Sequence, residues 1–496
     1  SIEDRYKRWT VLYILCFCVV WWVAFSLSRH YLDGADMVEN YAWGREWQWG
    51  TNKHPPLFGW ITAAWFTVFP TTDWAYYLLN ELNLGIALWL MALAMGRLMP
   101  ADKVLAAVVL TSLCSHFGPD SGYKYNANTA QLPFIAGFLW SMLHALESRR
   151  LPWFIGAGVF CAAALLTKYY ALVLFAAVCL SLLFSLRPPP AGFFKGLALT
   201  GITALLLVSL HVVWSIRHGW PGLHYMHAAH ETTDETTGLM AYAIAVIGAV
   251  LFSAIPLLAF AGSLFRLPAT VGDGERAPRL GLGILISSVV LTLLAAWVQN
   301  INPVSSWFIP ALLFLGWALI DLAPRKFQAS GYARRIAYAG VLYLALALIV
   351  ALLWEDRYRS YPAPPPYALA KTLATDVTRN YRQSYGQALQ FVAGTFPLPY
   401  ELAFYSPDHP HALYGLDLAQ SPWIDRNALE TGNKVVVCGT ERIDTAGDPS
   451  CSTAAQGLFG KPDRVSHLEY RVYDPKAQRL GHLIFAVLSW KPQASL

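Results

Sequence analysis

The chain has 496 residues; 56% are hydrophobic, only 14% are charged, and the net charge is +5. Soluble domains carry about 25% charged residues. A mean hydropathy of +0.39 therefore excludes an ordinary soluble enzyme; the net charge says little alone, its distribution says more, and no nucleic-acid partner is expected. What remains is a polytopic α-helical membrane protein with some soluble part, whose 20 Trp, 25 Tyr and 25 Phe suit interfacial belts.

Eleven apolar stretches are expected to span, at about 9–28, 74–96, 103–118, 127–146, 152–167, 169–186, 197–216, 239–265, 280–298, 306–323 and 336–354. The first lacks an A-x-A cleavage site and reads as an uncleaved anchor. Residues 57–70 are too short to span and suit an interfacial helix. Alternate loops, beginning with Arg5, Lys7 and Arg8, hold sixteen Lys and Arg; the opposite loops before residue 355 hold six. The positive-inside rule then predicts a cytoplasmic N-terminus and, with eleven spans, an external C-terminus.

Between the first span and residue 57 lies the most reactive stretch, DGADMVENYAWGREWQWGTNKHPPL. It carries three carboxylates, Asp33, Asp36 and Glu39, then the basic pair Lys53 and His54, then Pro55 and Pro56. Asp36, Glu39, Asn40 and Trp43 recur at helical spacing and share one face. Trp43, Trp47 and Trp49 suit a helix in the headgroup layer. Two readings stand: an interfacial helix with solvated charges, or carboxylates that take a proton beside cations that hold an anion.

Four further groups map to the same external side. In GPDSGYKYNAN, Asp120 and Lys124 occupy a loop, and Asn126 and Asn128 open a helix, as caps or as ligands. Lys168, in LLTKYYALVLF, interrupts apolar sequence, which is costly enough to mark function unless the side chain snorkels. In RHGWPGLHYMHAAHETTDE, Arg217 and His218 precede His224, His227, His230, Glu231 and Asp234, either a metal site or a solvated loop contacting substrate; no HExxH is present. Gln299 to Pro303 form a polar turn without a strong signal.

After Trp354 the Pro-rich WEDRYRSYPAPPPY leads into a polar region with strand-like runs Lys434–Cys438 and His482–Leu488. Residues 1–354 thus read as the membrane domain and 355–496 as a small external α/β domain. In an oxidising compartment Cys438 and Cys451 are expected to pair; the alternative is two buried thiols. Cysteines 16, 18, 114, 161 and 179 lie in spans and read as packing residues.

The combination of DMVENYAWG, KHPPLFGW, KYNANTAQLP and L-T-K-Y resembles the bacterial polyprenyl-phosphate-dependent glycosyltransferases of the GT-C fold. These are relatives of the protein O-mannosyltransferases and of the aminoarabinose transferase that modifies lipid A. The look is nearest to the branch with lipopolysaccharide-core galacturonosyltransferases. The resemblance covers about residues 9–354. It implies that Asp36 matches the first-loop catalytic aspartate, with Glu39 assisting, and that Lys168 and His54, with Lys53 in reserve, hold the donor phosphate. Asp120, or Asn126 or Asn128, falls near the second-loop acidic position, and Lys124, Arg217 and His218 are further substrate-binding candidates. Two departures stand out: Glu39 replaces a basic residue of the aminoarabinose transferase, and the usual adjacent Asp-Glu pair is spread as Asp36 and Glu39.

The implied partners are a polyprenyl-phosphate-linked sugar donor, membrane lipids and an envelope glycolipid acceptor, lipid A or lipopolysaccharide core. The reaction is an inverting transfer at the periplasmic face of the bacterial inner membrane. No cofactor is implied with certainty, although a divalent metal is compatible with a phosphate-bearing donor. The alternatives are a transporter or flippase of lipid-linked sugars and a protein O-glycosyltransferase. The matching broken segments of a repeat-built transporter are not evident.

Overall fold

The computed structural model describes residues 1–32, 35–185, 189–231, 235–264, 279–323, 329–440, 442–445 and 447–492. Asp33 and Asp234 lie outside the described residues, as do Arg187, Arg266, Arg276, Arg325 and Lys326 of the basic loops. The chain divides into two compact units. One comprises Ser1–Phe25, Lys53–Leu57 and Tyr77–Val350; the other comprises Ser26–Asn52, Phe58–Tyr76 and Ala351–Leu496.

The first unit is helical. Across the described chain, Ile2–Ser28, Asp73–Met95, Phe193–Arg217, Leu280–Val298 and Gly331–Arg359 are long and apolar enough to cross a membrane. The total rises to seven if Gly238–Phe252 with Ala254–Gly262, and Ser305–Leu312 with Leu315–Leu322, each form one bent span. Eleven spans are not reached on length and composition. Leu151–Leu165 and Ala171–Ser185 have 15 residues each, a rise of about 22 Å against a hydrocarbon core of roughly 30 Å. The stretch expected at 306–323 bends by 63°.

Small residues let these helices approach closely, as in membrane bundles. A Cβ on Gly316 would fall 1.8 Å from the Ala107 carbonyl oxygen, so helices Ala101–Ser112 and Leu315–Leu322 cross where only glycine fits. The Gly316 amide there donates to Thr111 Oγ1 at 3.0 Å.

The second unit joins first-loop segments to the C-terminal region. Helix Asp36–Gly44 is buried from Met37 to Gly44, which is not the pattern of an interfacial helix with solvated charges. Its Tyr41 ring lies 5.2 Å from Phe404 and its Trp43 ring 6.5 Å from Tyr400, both on helix Leu398–Tyr405. Trp43 is thus a core residue, whereas Trp47 is 54% exposed. A Cβ on Gly44 would meet Gly59 O at 1.8 Å. Beyond the helix, Arg45 donates to the carbonyl oxygens of His409 and Pro410.

The C-terminal region holds a mixed five-stranded sheet of β1 (Phe391–Gly394), β2 (His411–Ala412), β3 (Lys434–Cys438), β4 (Arg464–Asp474) and β5 (Arg479–Trp490), in the order β2-β1-β3-β5-β4. β1 pairs in parallel with β2 and β3; β5 is antiparallel to β3 and β4. The run KVVVC is buried throughout, as a central strand covered on both faces should be. β4 closes one edge, and its Arg464, His467, Glu469 and Arg471 blunt that edge against further pairing. The chain leaves β1 through helix Leu398–Tyr405 toward β2. It leaves β3 through helix Pro449–Phe459 toward β4, on the other side. Cys438 and Cys451 are disulfide-bonded and tie the end of β3 to the start of that second helix.

Candidate functional site

Lys168 sits in a break between two apolar helices. Helix Leu151–Leu165 ends as the Thr167 hydroxyl bonds back to the Ala163 carbonyl at 2.9 Å, and Ala171–Ser185 starts as the Ala171 amide donates to the Lys168 carbonyl at 3.1 Å. The break is pinned from several sides. Lys168 Nζ donates to Asn128 Oδ1. The Tyr169 hydroxyl lies 2.7 Å from His211 Nε2, and that of Tyr170 lies 2.6 Å from Thr292 Oγ1. The Leu57 amide donates to the Leu166 carbonyl at 2.9 Å, which docks the Lys53–Leu57 segment on the same break.

Lys53, His54 and Lys168 consequently line one cavity of about 350 Å³ in the first unit. Helix Pro221–His230 forms a wall: Lys53 Nζ stands 5.0 Å from the Tyr225 ring centroid, and the His54 ring meets Tyr225 edge-on at 6.4 Å. A Cβ on Gly222 would come within 3.0 Å of the Lys53 carbonyl oxygen, so that wall packs closely. His230 and Trp307, 5.0 Å apart, line another side, and Leu172, Val173, Ala295 and Ile301 add apolar surface.

Burial, then the Lys168 and Lys53 charges, push the His54 pKa down to about 3. Burial and Lys168 likewise lower that of His230. At neutral pH both imidazoles are uncharged and the positive charge of the cavity wall comes from the two lysines. Cations lining an otherwise apolar cavity suit an anionic headgroup on a lipid, since charge-assisted hydrogen bonds to phosphate are strong where water is scarce.

The second-loop residues take separate places. Asp120 Oδ2 accepts from His116 Nδ1 at 2.6 Å and from the Ser121 hydroxyl at 2.7 Å. Burial raises the Asp120 pKa, but those bonds, with the His116 and Lys124 charges, outweigh it and hold the carboxyl below its usual range. Lys124 lies over the Tyr123 ring at 6.0 Å. Asn126 caps the turn Ala127–Ala130, accepting from the Asn128 and Thr129 amides, and Asn128 accepts from Lys168. Arg217 ends its helix, and His218 Nδ1 donates to the Trp214 carbonyl at 2.8 Å while its ring stacks on Trp214. Neither Arg217 nor His218 is among the residues lining the cavity. Among the described residues no three His, Cys, Asp or Glu side chains are grouped to hold a metal.

Asp36 and Glu39 belong to the second unit, on the buried first-loop helix. Asp36 is half-buried and Glu39 is 2% exposed. Sequence reasoning missed Tyr225, Trp307 and Thr292 as part of the cavity, and His116 as the partner of Asp120. The tyrosines after Lys168 and the His at i−4 from Asp120 were the available signals.

Known proteins match this chain in two ways. Residues 53–214 match the family described as dolichyl-phosphate-mannose-protein mannosyltransferase. That segment includes Lys53, His54, Asp120 and Lys168 but not Asp36 or Glu39. The lipopolysaccharide core galacturonosyltransferase RgtB of Rhizobium johnstonii is 24% identical over 287 residues, 54% of this chain and 56% of that protein, so the match spans about half of the relative's length. In structure, the chain superposes on ArnT from Cupriavidus metallidurans bound to undecaprenyl phosphate with a TM-score of 0.58 at 15% identity, covering 97% of this chain and 98% of that one. The same protein in the apo state gives 0.58 at 16%, with the same coverage. The resemblance carried by the motifs is therefore shown: the chain has an ArnT-like GT-C fold, and residues 53–214 carry the sequence signature of the dolichyl-phosphate-mannose-protein mannosyltransferase family.

Proposed function

We propose that the chain is an inverting glycosyltransferase that moves a sugar from a polyprenyl-phosphate donor to an envelope glycolipid, lipid A or lipopolysaccharide core. In this reading it works at the periplasmic face of the bacterial inner membrane, with a cytoplasmic N-terminus and residues 355–496 as an external domain. One observation carries it: the adjacent Lys53 and His54 and the sequence-distant Lys168 converge on a single largely apolar cavity. A prenyl tail partitions into the bilayer at about 0.8 kcal/mol per buried CH₂, so the protein has only to recognise the phosphate and the sugar.

The chemistry follows from charge. Asp36, assisted by Glu39, takes the proton of the acceptor hydroxyl. That oxygen bonds to the anomeric carbon, the bond from that carbon to the phosphate oxygen breaks, and polyprenyl phosphate leaves. Negative charge grows on the departing phosphate, where Lys168 and Lys53 supply ammonium groups and neutral His54 an N–H donor. Asn128 aims the Lys168 ammonium. Asp120, Lys124, Asn126, Arg217 and His218 are left as candidates for the sugar and acceptor. A single displacement inverts the anomeric centre.

Mass spectrometry of envelope glycolipids from a deletion strain tests the reading. The expected result is one sugar mass that disappears from a glycolipid and returns with wild type but not with Asp36→Ala. Full restoration by Asp36→Ala removes Asp36 as the base. An unchanged glycolipid profile overturns the glycolipid acceptor in favour of a protein hydroxyl or of transport.

A further inference from the structure

A second cavity, of about 490 Å³, lies wholly within the second unit. Its lining comes from four separate segments: one within residues 366–373, one within 395–401, one of Gly439, Thr440 and Arg442, and one of Leu483 with Phe485. Thr395 and Phe396 directly follow β1; Gly439 and Thr440 directly follow β3. β1 and β3 are parallel neighbours whose outgoing connections run to opposite sides of the sheet. The cavity therefore opens at the carboxyl ends of two parallel strands where the winding reverses. Open α/β sheets collect ligands at such a point.

Its chemistry is mixed. Tyr367 and Phe396 offer ring faces, Thr395 and Thr440 hydroxyls, Glu401 a carboxylate and Arg442 a guanidinium. Rings that can pack on C–H faces, beside donors and acceptors of both charges, match a pyranose, which is apolar on its faces and polar around its edge. The volume falls within the range of small-molecule sites, about 300–1,000 Å³. Helix Leu398–Tyr405 joins this cavity to the first-loop helix. Leu398 and Glu401 line the cavity, while Tyr400 and Phe404 pack against Trp43 and Tyr41 of Asp36–Gly44.

We infer that this cavity binds a sugar ring of the acceptor's oligosaccharide, one helix away from the carboxylates that would activate the acceptor. The inference rests on the transferase reading for the name of its ligand but not for the existence of the site. It gives the C-terminal region a task, holding the glycan of a lipid-anchored acceptor.

The test uses the full chain in nanodiscs and two probes, delipidated core oligosaccharide and undecaprenyl phosphate. Saturation-transfer NMR and titration should show oligosaccharide binding to wild type that weakens at least tenfold in Tyr367→Ala and in Arg442→Ala. Both variants should keep wild-type affinity for undecaprenyl phosphate, which also shows that they are folded. In a transfer assay they raise the acceptor KM and leave kcat nearly unchanged. Oligosaccharide binding that is absent from wild type, or equal in wild type and both variants, overturns the inference. If wild type binds oligosaccharide in this cavity but not undecaprenyl phosphate, the transferase reading falls while the sugar site stands.

Discussion

The two cavities are built on opposite principles. The one in the first unit gathers two lysines and two neutral histidines among apolar walls, with no carboxylate among its lining residues. The one in the second unit pairs a carboxylate with a guanidinium and adds hydroxyls and rings. The first suits an anion whose remainder is lipid; the second suits a ring that is itself uncharged and polar at its edge. They also differ in origin. A lysine between two apolar helices is expensive to keep and stands out in the sequence. The sheet cavity is composed of residues unremarkable one by one, and only the strand order makes it a site.

The contrast is broken most strongly at Lys168. Removing a single donor that stabilises developing charge costs about 100- to 1,000-fold in kcat. Lys168→Ala should show that loss in transfer from a polyprenyl-phosphate donor and should also weaken undecaprenyl phosphate binding. Oligosaccharide binding should be untouched. Lys168→Arg should recover only part, because the wider guanidinium does not replace a point charge held by Asn128. Wild-type turnover in Lys168→Ala would show that the cavity does not hold the leaving group.

The next effect concerns stability and is confined to the second unit. Cys438 and Cys451, 13 residues apart, close a loop whose cross-link is worth about 3 kcal/mol by chain entropy. Cys438→Ser should make the second unit open at lower denaturant, read by proteolysis within residues 391–490 and by early loss of oligosaccharide binding. Undecaprenyl phosphate binding should persist to the wild-type denaturant concentration. Simultaneous loss of both would mean that the two units unfold as one cooperative body.

What could be read from the sequence follows the same line. Lys168 stood out as a charge interrupting apolar sequence and His54 as one of a basic pair before Pro55, and both line the first cavity. β3 was legible as KVVVC, a short β-branched run between turn signals. The helix Asp36–Gly44 was legible from its spacing, but its burial was not: Trp43 packs on Tyr400, more than 350 residues away in sequence, and local periodicity left a solvated and a reactive reading both open. Asn126 and Asn128 look alike in sequence, and only geometry makes one a cap and the other the acceptor for Lys168. Hydropathy separated Leu151–Leu165 from Ala171–Ser185 at Lys168, but it scores apolar length alone and does not show the turn that presents the lysine.

The smallest effect sharpens the electrostatics of the first cavity. With its pKa pushed down to about 3 by burial and by Lys168 and Lys53, His54 is neutral in the folded protein throughout pH 5 to 8. The unfolded chain takes up that proton near pH 6.5, so the sign is fixed. Folded-state stability from His54 is full above about 6.5 and declines as pH falls from there toward 3, because only the unfolded state is protonated in that window. Binding should follow the neutral form as well. The ratio of undecaprenyl phosphate affinities of wild type and His54→Gln should stay constant within about twofold from pH 5.5 to 7.5; the second ionisation of the phosphate, near pH 6, cancels in such a ratio. A ratio that climbs as pH falls through 6.5 would mean that His54 becomes a third cation in the bound state, and that the phosphate overcomes the repulsion of both lysines. A flat ratio leaves Lys53 and Lys168 as the charges and His54 as a hydrogen-bond donor that costs the apolar cavity no further ion.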